Sequence, residues 1–500
     1  MILFKYVINY KFFLNIFSLL IISNEYLVFP INTFHPNNFT LINNSKYFSN
    51  EDFLNYWLPN EMYSYLYIGS PKSKIYAFFD SEDYGSYLDN SICQLPSIYN
   101  KELSSTFINT SEYNVFFSHF RNMCFAKETF YVYTDFNLEI NKIKNIHNIT
   151  FLYAPKPPNN TEFYNNFPIT GFSCLHIGLQ LPISLDFYES WIIQLKKKDY
   201  IESTYWTFEF TNNNRNGLFD INNENEGYLV VGLPPHKYRP NKYNENEFRS
   251  TVSKIRIKNY EDYRVNLWGI IFDKIYFFNN NNEIILKTTK CKFSLNINLI
   301  EGSTDYLNNI ENEFFNNLYN KSICFKERVR SEKNGLYYMI WCNKNDYNQI
   351  KNTFPILYFK SNELDYIFEL TYKDLFAING DKIFFLIIFR SIESMFTFGK
   401  LFYKKYLFTF SFDNKIIGFY KDILNISSPK NNYENNKNLK EKLLIFCFIF
   451  LFILIFAFIK IKKKYISNRQ KRINELIDNN YVYMINKSNS SSNQSLIISK

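Results

Sequence analysis

Nucleotide-binding and metal-binding signatures are missing from this chain of 500 residues. It contains no G-x-G-x-x-G and no G-x-x-x-x-G-K-[ST], which argues against a Rossmann or P-loop enzyme. Histidine is scarce, at 5 residues, and no two stand at metal spacing. The 7 cysteines are scattered without a C-x-x-C, so no zinc site is expected and no cofactor is implied. No repeat of about 20–50 residues is present, which argues against a solenoid or a propeller. Helical periodicity is sparse too, and Tyr306 to Tyr319 is its best stretch before the C-terminal region.

Apolar residues make up 46% of the chain and charged residues 21%, enough to build a core. The length suits roughly two to four domains, or one large two-lobed fold. Aromatics reach 20%, with 54 Phe and 41 Tyr beside many Ile, Asn and Lys. AT-rich codons specify that alphabet, so the aromatic surplus is not read as a nucleic-acid surface. Short apolar or alternating runs recur between turn residues: Tyr63 to Ile68, Lys74 to Phe79, Tyr228 to Val231, Trp268 to Phe278, Phe408 to Phe412. Their length and spacing predict a mostly β chain.

The ends point to a membrane. Residues 1–23 read as a signal peptide, or alternatively as an uncleaved anchor, with Lys5 and Lys11 before an apolar core from Phe12 to Ile22. Leu443 to Ile459 is a run of seventeen residues without a charge, about 25 Å as a helix. A transmembrane helix is therefore expected over 442–461. Nine of the eleven charged residues from 460 onward are Lys or Arg, giving +7 there against +9 for the whole chain. That asymmetry places the C-terminus in the cytosol and residues ~24–440 in the lumen or outside the cell. The basic balance is a membrane anchor, not a nucleic-acid footprint. Stretches 24–60 and 426–441 read as linkers, the first of them alternatively as a pro-segment. Residues 462–500 read as a basic tail, disordered toward the end. Six cysteines fall in the outer part, an even count that favours three disulfides. Sequons begin at Asn38, Asn43, Asn109, Asn148, Asn159, Asn320 and Asn425, which marks a candidate glycoprotein. His176 follows Cys174 by two residues, but strand spacing and disulfide use argue against a Cys/His nucleophile there.

Residues 62–80, MYSYLYIGSPKSKIYAFFD, resemble the opening strands of pepsin-like aspartic proteases. In that family I-G-[TS]-P leads to a strand ending in F-D-T-G-S. Here Ile68-Gly69-Ser70-Pro71 leads to Asp80. Further pieces follow in the family's order. Ser104-Ser105-Thr106-Phe107 resembles the S-S-T-[FY] turn, and 170–179, TGFSCLHIGL, resembles D-G-I-L-G-L-G. Trp191 to Leu195 resembles the helix after it. Residues 227–232, GYLVVG, resemble G-x-L-x-[IV]-G, and 268–276, WGIIFDKIY, resemble W-x-I-x-[FL]-D-x-I. Residues 396–420, FTFGKLFYKKYLFTFSFDNKIIGFY, resemble the family's C-terminal signature.

The resemblance implies two β-barrel-like lobes, 61–215 and 216–425, around a cleft that takes a peptide or protein. It also implies aspartic-type endopeptidase activity, in which two carboxylates share a proton across a water. Asp80 and Ser81 match the first catalytic motif, with Glu82 in place of Gly. Asp83-Tyr84-Gly85-Ser86 is an alternative register that spacing from Pro71 disfavours. In the second half, setting Gly302 on the family Gly puts Ile300 at the second catalytic position and Glu301 beside it. The dyad is then incomplete, and proteolysis is expected to be weak or lost. Tyr133, in Tyr133-Thr134-Asp135-Phe136-Asn137, matches the flap Tyr without the flap glycines. The resemblance pairs Cys324 with Cys342 and suits Cys93 with Cys124, leaving Cys174 with Cys291. Three readings of function remain: a membrane-tethered aspartic endopeptidase, a pseudopeptidase that binds without cutting, and a surface structural or adhesion protein.

Overall fold

The computed structural model describes residues 26–33, 62–82, 86–89, 99–111, 124–138, 142–154, 175–181, 189–211, 225–258, 264–279, 282–286, 289–331, 335–390, 395–421, 458–480 and 482. The chain divides into two units, Met1–Leu424 and Asn425–Lys500. The expected signal peptide, the 426–441 linker and most of the 442–461 span lie outside the described residues. Among the described residues no helix is long and apolar enough to cross a membrane.

The first unit is mostly β. Alternation decides which side chains enter its core, because successive residues of a strand point to opposite faces. In Met62–Ile68 every second residue, Met62, Ser64, Leu66 and Ile68, is buried and the tyrosines between them are not. The apolar run Trp268 to Phe278 holds two strands, Gly269–Phe272 and Lys274–Asn279. The chain breaks at Asp273, whose N–H donates to the Lys360 carbonyl at 2.9 Å. The Tyr306 helix runs from Thr304 to Asn320, with one wider π stretch at Glu311–Phe315. Leu27–Thr33 falls within the stretch expected to be a linker or pro-segment, yet it is a strand with Leu27, Val28 and Phe29 fully buried.

Two halves repeat one pairing scheme. In the first, Ser73–Asp80 pairs antiparallel with Met62–Ile68 and parallel with Leu175–Gly178. Leu175–Gly178 is antiparallel to Ser86–Asp89, which runs parallel to Ile143–Ala154. In the second half, Thr289–Phe293 pairs antiparallel with Gly269–Phe272 and parallel with Phe396–Phe398. Phe396–Phe398 is antiparallel to Ile300–Ser303, which runs parallel to Ile387–Arg390. A short helix follows each time, Trp191–Lys197 or Lys400–Lys405. Six strands join the halves in the order Phe248–Val252, Ile416–Tyr420, Phe408–Ser411, Tyr205–Phe210, Asn225–Val231, Leu27–Thr33. At that junction Trp206 lies on Phe410, with ring centres 4.1 Å apart.

A buried carboxylate braces the first half. Glu128 accepts from the Tyr99 hydroxyl, the Thr106 hydroxyl, Ser104 Oγ at 2.7 Å and Thr129 N at 2.8 Å. Ser104 Oγ also accepts from Ser70 N at 3.1 Å, so this network fixes the turn that leads into the Asp80 strand.

Cys324 and Cys342 face each other across an antiparallel hairpin and form a disulfide. The partners are 18 positions apart in sequence, so its removal relaxes a closed loop in the unfolded chain. Replacing both by serine is expected to lower the unfolding free energy by about 3 kcal/mol, read from urea denaturation of the oxidised protein and the variant. Cys291 departs from expectation. It is a buried free thiol in Thr289–Phe293, its pKa pushed well up by burial, and is not bonded to Cys174. Cys174 and Cys93 lie outside the described residues.

Candidate functional site

The Asp80 strand sends Phe79 into the core against Phe29 and Phe208. Phe78 and Asp80 therefore lie on the opposite face. At the strand end the Asp80 carbonyl accepts from Leu179 N at 2.6 Å, one residue past its register partner Gly178. Its carboxylate Oδ1 accepts from Glu82 N at 2.7 Å and from Asn296 Nδ2 at 2.8 Å. Ser81 Oγ, 2% exposed, accepts from Leu295 N at 2.8 Å. Two hydrogen bonds thus join the halves at this point.

The residues opposite Asp80 are Ser294, Leu295 and Asn296, which follow the equivalent strand Thr289–Phe293. The two turns match in detail. Glu82 N donates back to the Asp80 side chain, and Asn296 N donates back to Ser294 Oγ at 3.2 Å. Ser294 is fully buried, and its N–H donates to the Phe398 carbonyl at 3.0 Å. Lys292 and Glu82 form an ion pair across the junction at 3.6 Å.

Ile300 is not at that junction. It opens the strand Ile300–Ser303, is fully buried, and pairs with Ile387 and Phe398. Glu301 is buried as well and accepts from the Tyr337 hydroxyl at 2.9 Å. The second side of the site is therefore Ser294 and Asn296, which the register set on Gly302 passed over. Asn296 stands where a glycine was sought, and one Asn carries no distinctive spelling in so Asn-rich a chain. Asp83 and Gly85 lie outside the described residues. Tyr133 ends the strand Cys124–Tyr133, paired with Ile143 and with Val28. Burial and the neighbouring Tyr67 raise its hydroxyl pKa. The turn after it packs Phe136 against Tyr228 and Tyr238.

An aromatic wall extends from Asp80 over the same sheet face. Tyr63 stands across from Phe78 and Tyr65 across from Tyr76, with ring centres 5.9 and 4.7 Å apart. His176, beside Phe78 on the parallel strand, stacks on it at 5.9 Å. Lys74 caps the Tyr65 ring at 3.9 Å. Burial lowers the His176 pKa from 6.5 to about 4, so the fold prefers the neutral ring. That preference contributes fully above the unfolded value of 6.5 and is lost as pH falls toward about 4. The loss is at most about 3 kcal/mol. His176→Leu is expected to shrink the difference in urea stability between neutral and acid pH by that amount. An unchanged difference would mean that the half-buried ring is not shielded from water.

Among the described residues no three His, Cys, Asp or Glu side chains gather as a metal site requires. Among the described residues the junction sets the Asp80 carboxylate, held by two N–H donors, opposite a serine hydroxyl and an amide, while the Glu82 carboxylate pairs with Lys292. An amide has no proton to give at any working pH, so this pair cannot divide acid and base roles. Compared with protein-family models and with curated proteins, the chain matches none.

Proposed function

We propose that residues 61–425 take the bilobal fold of pepsin-like aspartic proteases, with proteolysis weak or lost. The cleft between the lobes binds a peptide or protein. The observation that carries this is the junction of the two repeated halves: Asp80-Ser81 from one strand end meets Ser294-Leu295-Asn296 from the equivalent one. A pepsin-like mechanism needs a carboxylate on each side, one to take a proton from water and one to polarise the scissile carbonyl. Here the second turn offers Ser294 instead. The Asn296 amide donates to Asp80, a fixed hydrogen bond in place of a shared proton. The aromatic wall beside Asp80 is what remains for recognition, since large half-buried rings contribute binding area without needing the dyad. In this reading the chain is a single-pass type I membrane protein, anchored through 442–461, with its cleft in the lumen or outside the cell.

The test is a quenched-fluorescence peptide library incubated with the purified protein from about pH 3 to about pH 7. No cleavage above background is expected. Capture of peptides from the same library is expected, weakened when Tyr65→Glu places a charge in the wall. Cleavage that is blocked by a statine-type inhibitor and abolished by Asp80→Asn would restore the endopeptidase reading.

A further inference from the structure

Residues 458–480 form one helix of the second unit, about 35 Å long at the usual rise. Ile459, Ile466 and Ile473 recur every seven residues, with Tyr465, Leu476 and Ile477 beside them on the same side. All six are exposed, Tyr465 at 69% and Leu476 at 64%. The opposite side holds Lys460, Lys464, Ser467, Lys471 and Asn474. Seven Lys and Arg against two acids give the helix a charge of +5.

We propose that this helix lies along an anionic phospholipid surface, apolar stripe down and lysines toward the headgroups. It builds on the span proposed above, shares 458–461 with it, and is tested on the residues beyond 461. Three observations select lipid as the occupant. The stripe continues from the charge-free run that ends at Ile459, so its first turn starts where that run meets the headgroups. The charge complements an anionic leaflet, where each basic residue adds about 1 kcal/mol. Lys462 and Arg469 also fall within the stripe. In a dimer of two such helices they would set like charges against each other across a dry seam. On a bilayer their long stems lie along the acyl boundary and their charges reach the phosphates.

The experiment uses the full chain in nanodiscs of phosphatidylcholine alone or with phosphatidylserine, read by amide hydrogen exchange over 462–480. Exchange is expected to slow about tenfold or more in the anionic discs and to recover at high salt. Ile473→Glu with Leu476→Glu should remove the protection, while Asn474→Glu on the polar side keeps it. Equal exchange in both discs overturns the proposal. So does protection that ignores lipid charge and comes with cross-links between two chains. Alkaline carbonate extraction scores the span separately. If the chain is released, the helix is judged by salt-sensitive flotation on phosphatidylserine vesicles: flotation supports it, and none overturns it.

Discussion

Trp268→Ala is expected to remove about 5 kcal/mol of unfolding free energy, enough to unfold a marginal domain. The indole is 1% exposed and packs against Trp206, Phe410 and Phe412 at ring-centre distances of 5.9, 5.2 and 5.5 Å. Emptying that space costs about 3–5 kcal/mol in cores of this kind. Its position adds a second loss. Trp268 Nε1 donates to the Leu179 carbonyl at 2.6 Å, and Leu179 N in turn holds the Asp80 carbonyl. The Trp268 carbonyl accepts from Phe293 N at 2.8 Å, one residue before Ser294. One residue thus touches the backbone behind both turns of the site. Orphaning the Leu179 carbonyl adds about 1 kcal/mol. Trp268→Phe separates the two contributions, since it refills most of the space and loses only the hydrogen bond. Urea unfolding of both variants gives the comparison. A loss below about 2 kcal/mol for Trp268→Ala would mean that the halves are not joined here.

What could be read from the residues, and what could not, follows from the range over which each signal acts. Period-2 alternation is local, and it located Met62–Ile68 and Ser73–Asp80 to within a residue or two. Tyr306 to Tyr319 read as a helix for the same reason. The parallel pairings that build the site are not local. Ser73–Asp80 meets Leu175–Gly178, and Thr289–Phe293 meets Phe396–Phe398, each across about a hundred residues with no shared pattern. Asp80 stood out because its distance from Ile68-Gly69-Ser70-Pro71 resembles that of the family's first catalytic motif. Its partner did not, because Ser294 and Asn296 are ordinary residues after an ordinary strand. Gly302 drew attention to Ile300 instead, and burial explains both residues: Ile300 fills the core, and Gly302 makes room for the Phe389 and Phe396 rings. Cys291 was assigned a bond by counting, but a thiol enclosed in the core needs no partner.

Gly399→Ala is expected to cost at least about 4 kcal/mol, although its backbone is extended and open to any residue. The reason is space. A Cβ at 399 would fall inside the van der Waals radius of two backbone oxygens, those of Leu299 and Ile297. Neither can rotate away as a side chain would. Both belong to a stitched segment: Gly399 N donates to Leu299 O at 3.1 Å, Lys400 N to Ile297 O at 2.9 Å and Leu401 N to Asn298 O at 3.0 Å. Relieving the clash means moving 297–299, and with it Leu295 and Asn296, the two residues that hold Ser81 and Asp80. The informative control is Gly302→Ala, whose Cβ would first meet the rings of Phe396 and Phe389 at 3.1–3.2 Å. Rings can yield by a few tenths of an ångström, so that change should cost about 1–2 kcal/mol. Urea unfolding of both variants, with peptide capture on whatever stays folded, decides between them. Equal losses would show that the 297–299 segment moves freely and that the Asp80–Asn296 contact is not imposed by the helix behind it.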